Sequence, residues 1–188
     1  MRLLLVGLAA AVTALAPVTP PSAAAVVAAP CVDTTGRDSS ETREDSSVDE
    51  GEIRWTDATG YDTARKHGLA AWQYKGSTIK LLADSATTVN DLEFADYSDA
   101  GQKKSAYWER NGGIAATDYI RFNRATLDRS SPAIQRQVAA HEIGHALGLC
   151  HKSDGGGSYV RSLMWKEPQD VFDSPTDTDK ANYKALWK

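Results

Sequence analysis

Excess basic charge, cysteine and long apolar runs are all scarce in this chain, and each scarcity narrows its chemistry. Lys and Arg number 21 against 25 Asp and Glu, a formal net charge of −4. The sequence pI is near 5.6, which argues against nucleic acid or an anionic membrane surface as the main partner. One segment is apolar for any length, Leu3 to Ala16, and it falls short of the roughly 20 residues that span a bilayer. Arg2 precedes it, and Pro17 and the small residues Ser22-Ala23-Ala24-Ala25 follow. The run therefore reads as a secretory signal peptide over 1–25 rather than a membrane anchor. A secreted, extracellular protein with no membrane span is expected. Cysteine occurs twice, at Cys31 and Cys150. After export a single bridge between them is the simplest account, with two free thiols as the alternative.

What is present has the make-up of about one globular domain: 188 residues, 41% hydrophobic and 24% charged. From Asp33 to Glu50 the chain is crowded with Asp, Glu, Ser and Thr, so 26–50 reads as a polar N-terminal arm or short propeptide that adds little to a core. Residues 51–188 make up the domain itself. Alternation predicts strands over Glu52–Thr56, Thr78–Leu82, Asp91–Tyr97, Ser105–Glu109 and Tyr119–Asn123. A helix is expected from Asp62 to Tyr74 with Ala64, Leu69 and Trp72 inward, and a last one from Thr176 to Trp187. Between them Ser131-Pro132 supplies a cap and a first-turn proline for a third helix that ends at Gly148. Its apolar residues cover more than one face, which predicts a central, buried helix.

That helix carries the chemistry. His141-Glu142-Ile143-Gly144-His145-Ala146-Leu147-Gly148-Leu149-Cys150-His151 fits HExxHxxGxxH at every fixed position, a match expected by chance with probability on the order of 10⁻⁵. Histidines four apart on a helix share a face, so both imidazoles reach one ion. Gly148 permits the turn, with positive φ, that swings His151 back as a third ligand. Three histidines leave a fourth position open, which marks a catalytic zinc, and Glu142 lies beside that face as general base without being a ligand. The remaining histidine, His67, is expected on a helix, partly exposed. The acidic cluster Asp91, Glu93, Asp96 and Asp99 offers ligands for an accessory calcium ion, against the commoner reading of a solvated acidic surface.

At these residues the chain resembles the metzincins, zinc endopeptidases with a methionine turn beneath the metal. Ser162-Leu163-Met164, with its methionine 13 positions after His151, matches that turn. Within the clan it is most similar to the matrixins. Tyr119-Ile120-Arg121-Phe122-Asn123 looks like their strand before the active-site helix, and Asp179 with Tyr183-Lys184-Ala185-Leu186-Trp187 looks like their closing helix. The resemblance implies an α/β (α+β) fold with a twisted, mostly parallel five-stranded sheet, an antiparallel edge strand and three helices. It implies a monomer that cleaves protein or peptide substrates laid along the edge strand Ser105–Glu109. Met164 to Pro168 would wall the pocket for the residue after the cut. No histidine occurs from Asp91 to Asn123, where matrixins carry ligands for a structural zinc, so one zinc is expected. The propeptide switch PRCGxPD is not present around Cys31, and Lys166 stands where astacins and serralysins place a tyrosine. Two other readings compete: a zinc-binding secreted module without activity, and a calcium-binding structural protein.

Overall fold

The computed structural model describes residues 27–32, 39–112, 116–167 and 172–188; the signal-peptide expectation lies outside them. Five strands form one mixed sheet: β1 (Glu52–Ala58), β2 (Lys80–Ala83), β3 (Leu92–Tyr97), β4 (Ala106–Glu109) and β5 (Asp118–Asn123). Their order is β2-β1-β3-β5-β4. The first four in that row run parallel, and β4 pairs antiparallel with β5, setting Ala106 against Phe122 and Glu109 against Tyr119. Four helices accompany the sheet: α1 (Asp62–Trp72), α2 (Arg124–Leu127), α3 (Pro132–Ala146) and α4 (Asp177–Leu186). The expected α/β architecture is therefore the one observed.

Strand residues pointing to one face, Ile53, Phe94, Ile120 and Phe122, are fully buried and meet Leu69 and Trp72 of α1 and Ala139, Ala140 and Ile143 of α3. Burying side chains of this size is the main stabilising term of such a core. Helices α1 and α3 approach so closely that a Cβ on Gly68 would sit 2.9 Å from Ile143 Cδ1 and 3.0 Å from the Ala140 nitrogen. The Trp72 indole N–H donates to the Ala140 carbonyl at 2.7 Å, tying the pair together.

Three departures from the sequence pattern have a visible physical cause. Strand β2 starts at Lys80 rather than Thr78 because the backbone N–H groups of Thr78 and Ile79 donate to the Tyr183 hydroxyl at 3.0 and 2.8 Å. Helix α2 has no apolar periodicity to announce it, and arises because the Asn123 side chain caps it by accepting from the Ala125 N–H at 3.1 Å. The polar arm also adheres more firmly than an exposed segment would. Ser46 and Ser47 are buried, and the Ser47 hydroxyl donates to Asp118 at 2.7 Å while accepting from the Trp108 indole at 2.9 Å. Hydrogen bonds and the ion pairs of Asp45 and Glu41 hold much of it, which hydrophobic patterning does not register.

Candidate metal centre

Helix α3 begins where Ser131 accepts from the Ile134 N–H at 3.3 Å and Pro132 occupies the first turn. It is buried on nearly all sides from Gln137 to Ala146, as its apolar pattern predicts. Gly148 then takes φ of +84°, a left-handed conformation that glycine adopts without strain. The Gly148 and Leu149 N–H groups close the helix end on the His145 and Gly144 carbonyls at 2.8 and 3.0 Å. This turn returns the chain so that His151 faces the helix.

The three imidazoles converge. The Nε2 atoms lie 3.1 Å apart between His141 and His145, and 3.2 Å from His151 to each of them. Three basic nitrogens at this spacing are arranged to share one cation. A tetrahedral zinc with Zn–N bonds of about 2.0–2.1 Å sets its ligand nitrogens roughly 3.3 Å apart, so the donor set fits. The far ring atoms are engaged as metal-binding histidines require: His141 Nδ1 lies 2.8 Å from the Leu163 carbonyl, and His145 Nδ1 lies 2.8 Å from that of Leu149. A carbonyl at Nδ1 selects the tautomer whose Nε2 lone pair is available to a metal. Among the described residues this is the one group of three or more His, Cys, Asp or Glu side chains gathered closely enough to hold an ion. The four acidic residues form no such group. The Asp91 carboxylate accepts from the Arg54 N–H, Asp96 from Thr59 and Gly60, and Asp99 from Gly101. His67 lies on α1, partly exposed, with Nε2 2.7 Å from the Asp173 carbonyl.

The turn that carries Met164 packs against the helix of the triad. Met164 is fully buried, and a Cβ on Gly144, between the first two histidines, would fall on its sulfur. Asp179, at the start of α4, holds that turn in shape. Its carboxylate accepts from the Ser162 hydroxyl, from the Leu163 N–H at 2.8 Å and from the Thr176 N–H at 2.8 Å. Because Leu163 also presents the carbonyl that orients His141, a residue of α4 sets the position of an imidazole on α3.

Two cysteines complete the frame. Cys31 and Cys150 form a disulfide with Cα atoms 5.6 Å apart. Beside it the Val32 N–H donates to the His151 carbonyl at 2.8 Å and the Ser153 N–H to that of Pro30 at 3.1 Å. The next residue, Lys152, is wholly buried and paired with Glu41 of the arm. Asn182 of α4 also donates to Glu41 at 3.0 Å. The spacing of the motif carries no trace of Glu41, Lys152 or Asn182. A fully buried lysine beside a histidine of the triad becomes conspicuous only after folding.

The triad opens into a cleft of about 450 Å³ bordered by Ser105 to Trp108 on one side and by Gln137, Val138, His141 and Glu142 of α3 on the other, with Trp165, Lys166 and Glu167 beyond. Glu142 is buried and lines the same cleft as the three imidazoles. Strand β4, at the end of the sheet order, borders it. The expected wall from Met164 to Pro168 enters the cleft at Trp165 to Glu167, and Pro168 lies outside the described residues. Burial above all, then Tyr107 and the charges of Asp99 and Glu142, pushes the nearby Tyr97 phenol up, so it is neutral at ordinary pH. The chain matches no known family model and no curated protein.

Proposed function

We propose that the protein is a secreted zinc endopeptidase of the metzincin type, matrixin-like, in which His141, His145 and His151 hold the metal and Glu142 is the general base. The observation that carries this reading is the meeting of three Nε2 atoms within 3.2 Å of one another in a cleft that a buried glutamate also lines. Zinc bound there supplies Lewis acidity toward water and toward the scissile carbonyl. Glu142 takes the proton from the attacking water and delivers it to the leaving amine, the task of a carboxylate placed beside a metal but not on it. Strand β4 offers backbone groups to an extended peptide, which fixes register without reading side chains. The Leu163 and Leu149 carbonyls keep His141 and His145 in the tautomer that faces the ion.

The disulfide between Cys31 and Cys150 agrees with export into an oxidising compartment, and no helix among the described residues is long and apolar enough to cross a membrane. The test is hydrolysis of a quenched peptide by the purified protein, with elemental analysis of the same sample. Cleavage is expected to stop on chelation, to return with zinc, and to accompany one zinc per chain. Protein that holds zinc and cleaves nothing would leave the inactive binding module as the reading.

A further inference from the structure

Among the described residues, four buried side-chain polar atoms have no hydrogen-bond partner: Trp55 Nε1, Arg65 Nε, Asn90 Oδ1 and Gln137 Oε1. Of these residues only Gln137 lines the metal cleft. It precedes His141 by four residues on α3, which places both on one face, a single turn apart. The residue is 3% exposed. A buried acceptor left unmatched bears its whole desolvation penalty, and a folded protein tolerates this where a ligand later supplies the partner. The terminal torsion of glutamine is soft, so the amide turns readily toward a group entering the cleft.

We propose that Gln137 selects the substrate, by pairing its amide with a neutral hydrogen-bond donor, a carboxamide above all, on the residue adjoining the scissile bond. This rests on the peptidase reading. A carboxamide both donates to Oε1 and accepts from Nε2, matching the two ends of the glutamine. An apolar side chain leaves the oxygen unmatched, and a carboxylate has no proton to give it. Lysine and arginine could donate, but Lys103, Lys104 and Lys166 outnumber Glu142 and Glu167 around the same cleft, and like charge disfavours them. Sites built to hydrogen-bond a substrate discriminate strongly against the analogue that lacks the group.

The experiment compares peptides that differ at one position beside the cut, glutamine against methionine, on either side in turn. The wild-type protein is expected to favour glutamine at one of the two positions by about tenfold in kcat/KM. In Gln137→Met, which keeps the length and removes the amide, that preference should vanish or invert. The metal-free Gln137→Met protein should melt at or above the wild-type temperature, because an unmatched polar group is replaced by an apolar one of similar shape. Wild-type preference for methionine at both positions, an unchanged ratio in Gln137→Met, or a lower melting temperature would each overturn the proposal. If the zinc-loaded protein cleaves no peptide, the peptidase reading fails separately. The same comparison is then made by calorimetry with peptide hydroxamates bearing either side chain. A tenfold preference for the carboxamide that Gln137→Met abolishes sustains the role of Gln137, and equal affinities overturn it.

Discussion

Glu142 and His145 are three residues apart on one buried helix, yet their removal should have different consequences. Glu142→Ala leaves all three imidazoles in place. It is expected to keep its zinc and lose about 10² to 10⁴ in kcat/KM, the usual share of a general base. His145→Ala takes away one of three nitrogens, and both metal and activity should go, since ligand count sets affinity. Metal analysis on the assayed samples separates the two. Gly144 presents a purely steric case. Because its Cβ would fall on the Met164 sulfur and lie 3.0 Å from the Trp72 ring, Gly144→Ala must push the methionine turn or the helix aside. Overpacking of this kind costs about 1–3 kcal/mol, measurable as a lowered denaturation midpoint in the metal-free protein.

Between elements, the contact between α4 and the methionine turn concentrates much of the order at the site in one carboxylate. Asp179 is fully buried and serves Ser162, Leu163 and Thr176 at once. Asp179→Ala strands several donors, a loss on the order of 3 kcal/mol for hydrogen bonds to a charged group. The Leu163 carbonyl should then hold His141 less well, so zinc affinity in a competitive chelator titration is expected to fall as well. A second anchor joins the segment before α4 to α1 and α3, where Asp173 accepts from Arg136 at 2.8 Å and lies 3.4 Å from His67 Nε2. Burial pulls the Asp173 carboxyl up, but the Arg136 hydrogen bond and the charges of His67 and Arg136 outweigh it and leave it lowered. A lowered folded value means stability present above the unfolded carboxylate pKa of about 3.9 and lost as pH falls through the folded value. The stability gap between wild type and Asp173→Asn should therefore be open at neutral pH and close in acid below about pH 4. Denaturant melts across that range would show it.

Over the whole molecule the disulfide joins positions 119 residues apart, and its inner end is the neighbour of His151 of the triad. Constraining so long a loop lowers the entropy of the unfolded chain by an amount worth roughly 5 kcal/mol at most. Cys31→Ser or reduction should thus lower the melting temperature sharply. Because Val32 also bonds the His151 carbonyl, zinc affinity is expected to drop with the bridge open. A bridge that left metal binding unchanged when reduced would show that the loop from Gly148 to His151 stands without the arm.

The sequence alone determined what depends on neighbours along the chain. The i, i+4 histidines, the Ser131-Pro132 start and the Gly148 turn are local geometry, so the three histidines that converge and the helix that carries two of them were legible before folding. Alternation likewise located five strands to within about two residues, because a half-buried strand writes its period into the sequence. Tertiary structure decided what depends on distant partners. The order β2-β1-β3-β5-β4, the hold of Asp179 on the methionine turn, the burial of Lys152 against Glu41 and the unmatched oxygen of Gln137 all arise where remote segments meet. No periodicity records such meetings. A polar side chain gains its partner, or fails to, only when packing removes it from water, and that energy belongs to the folded arrangement rather than to any stretch of residues.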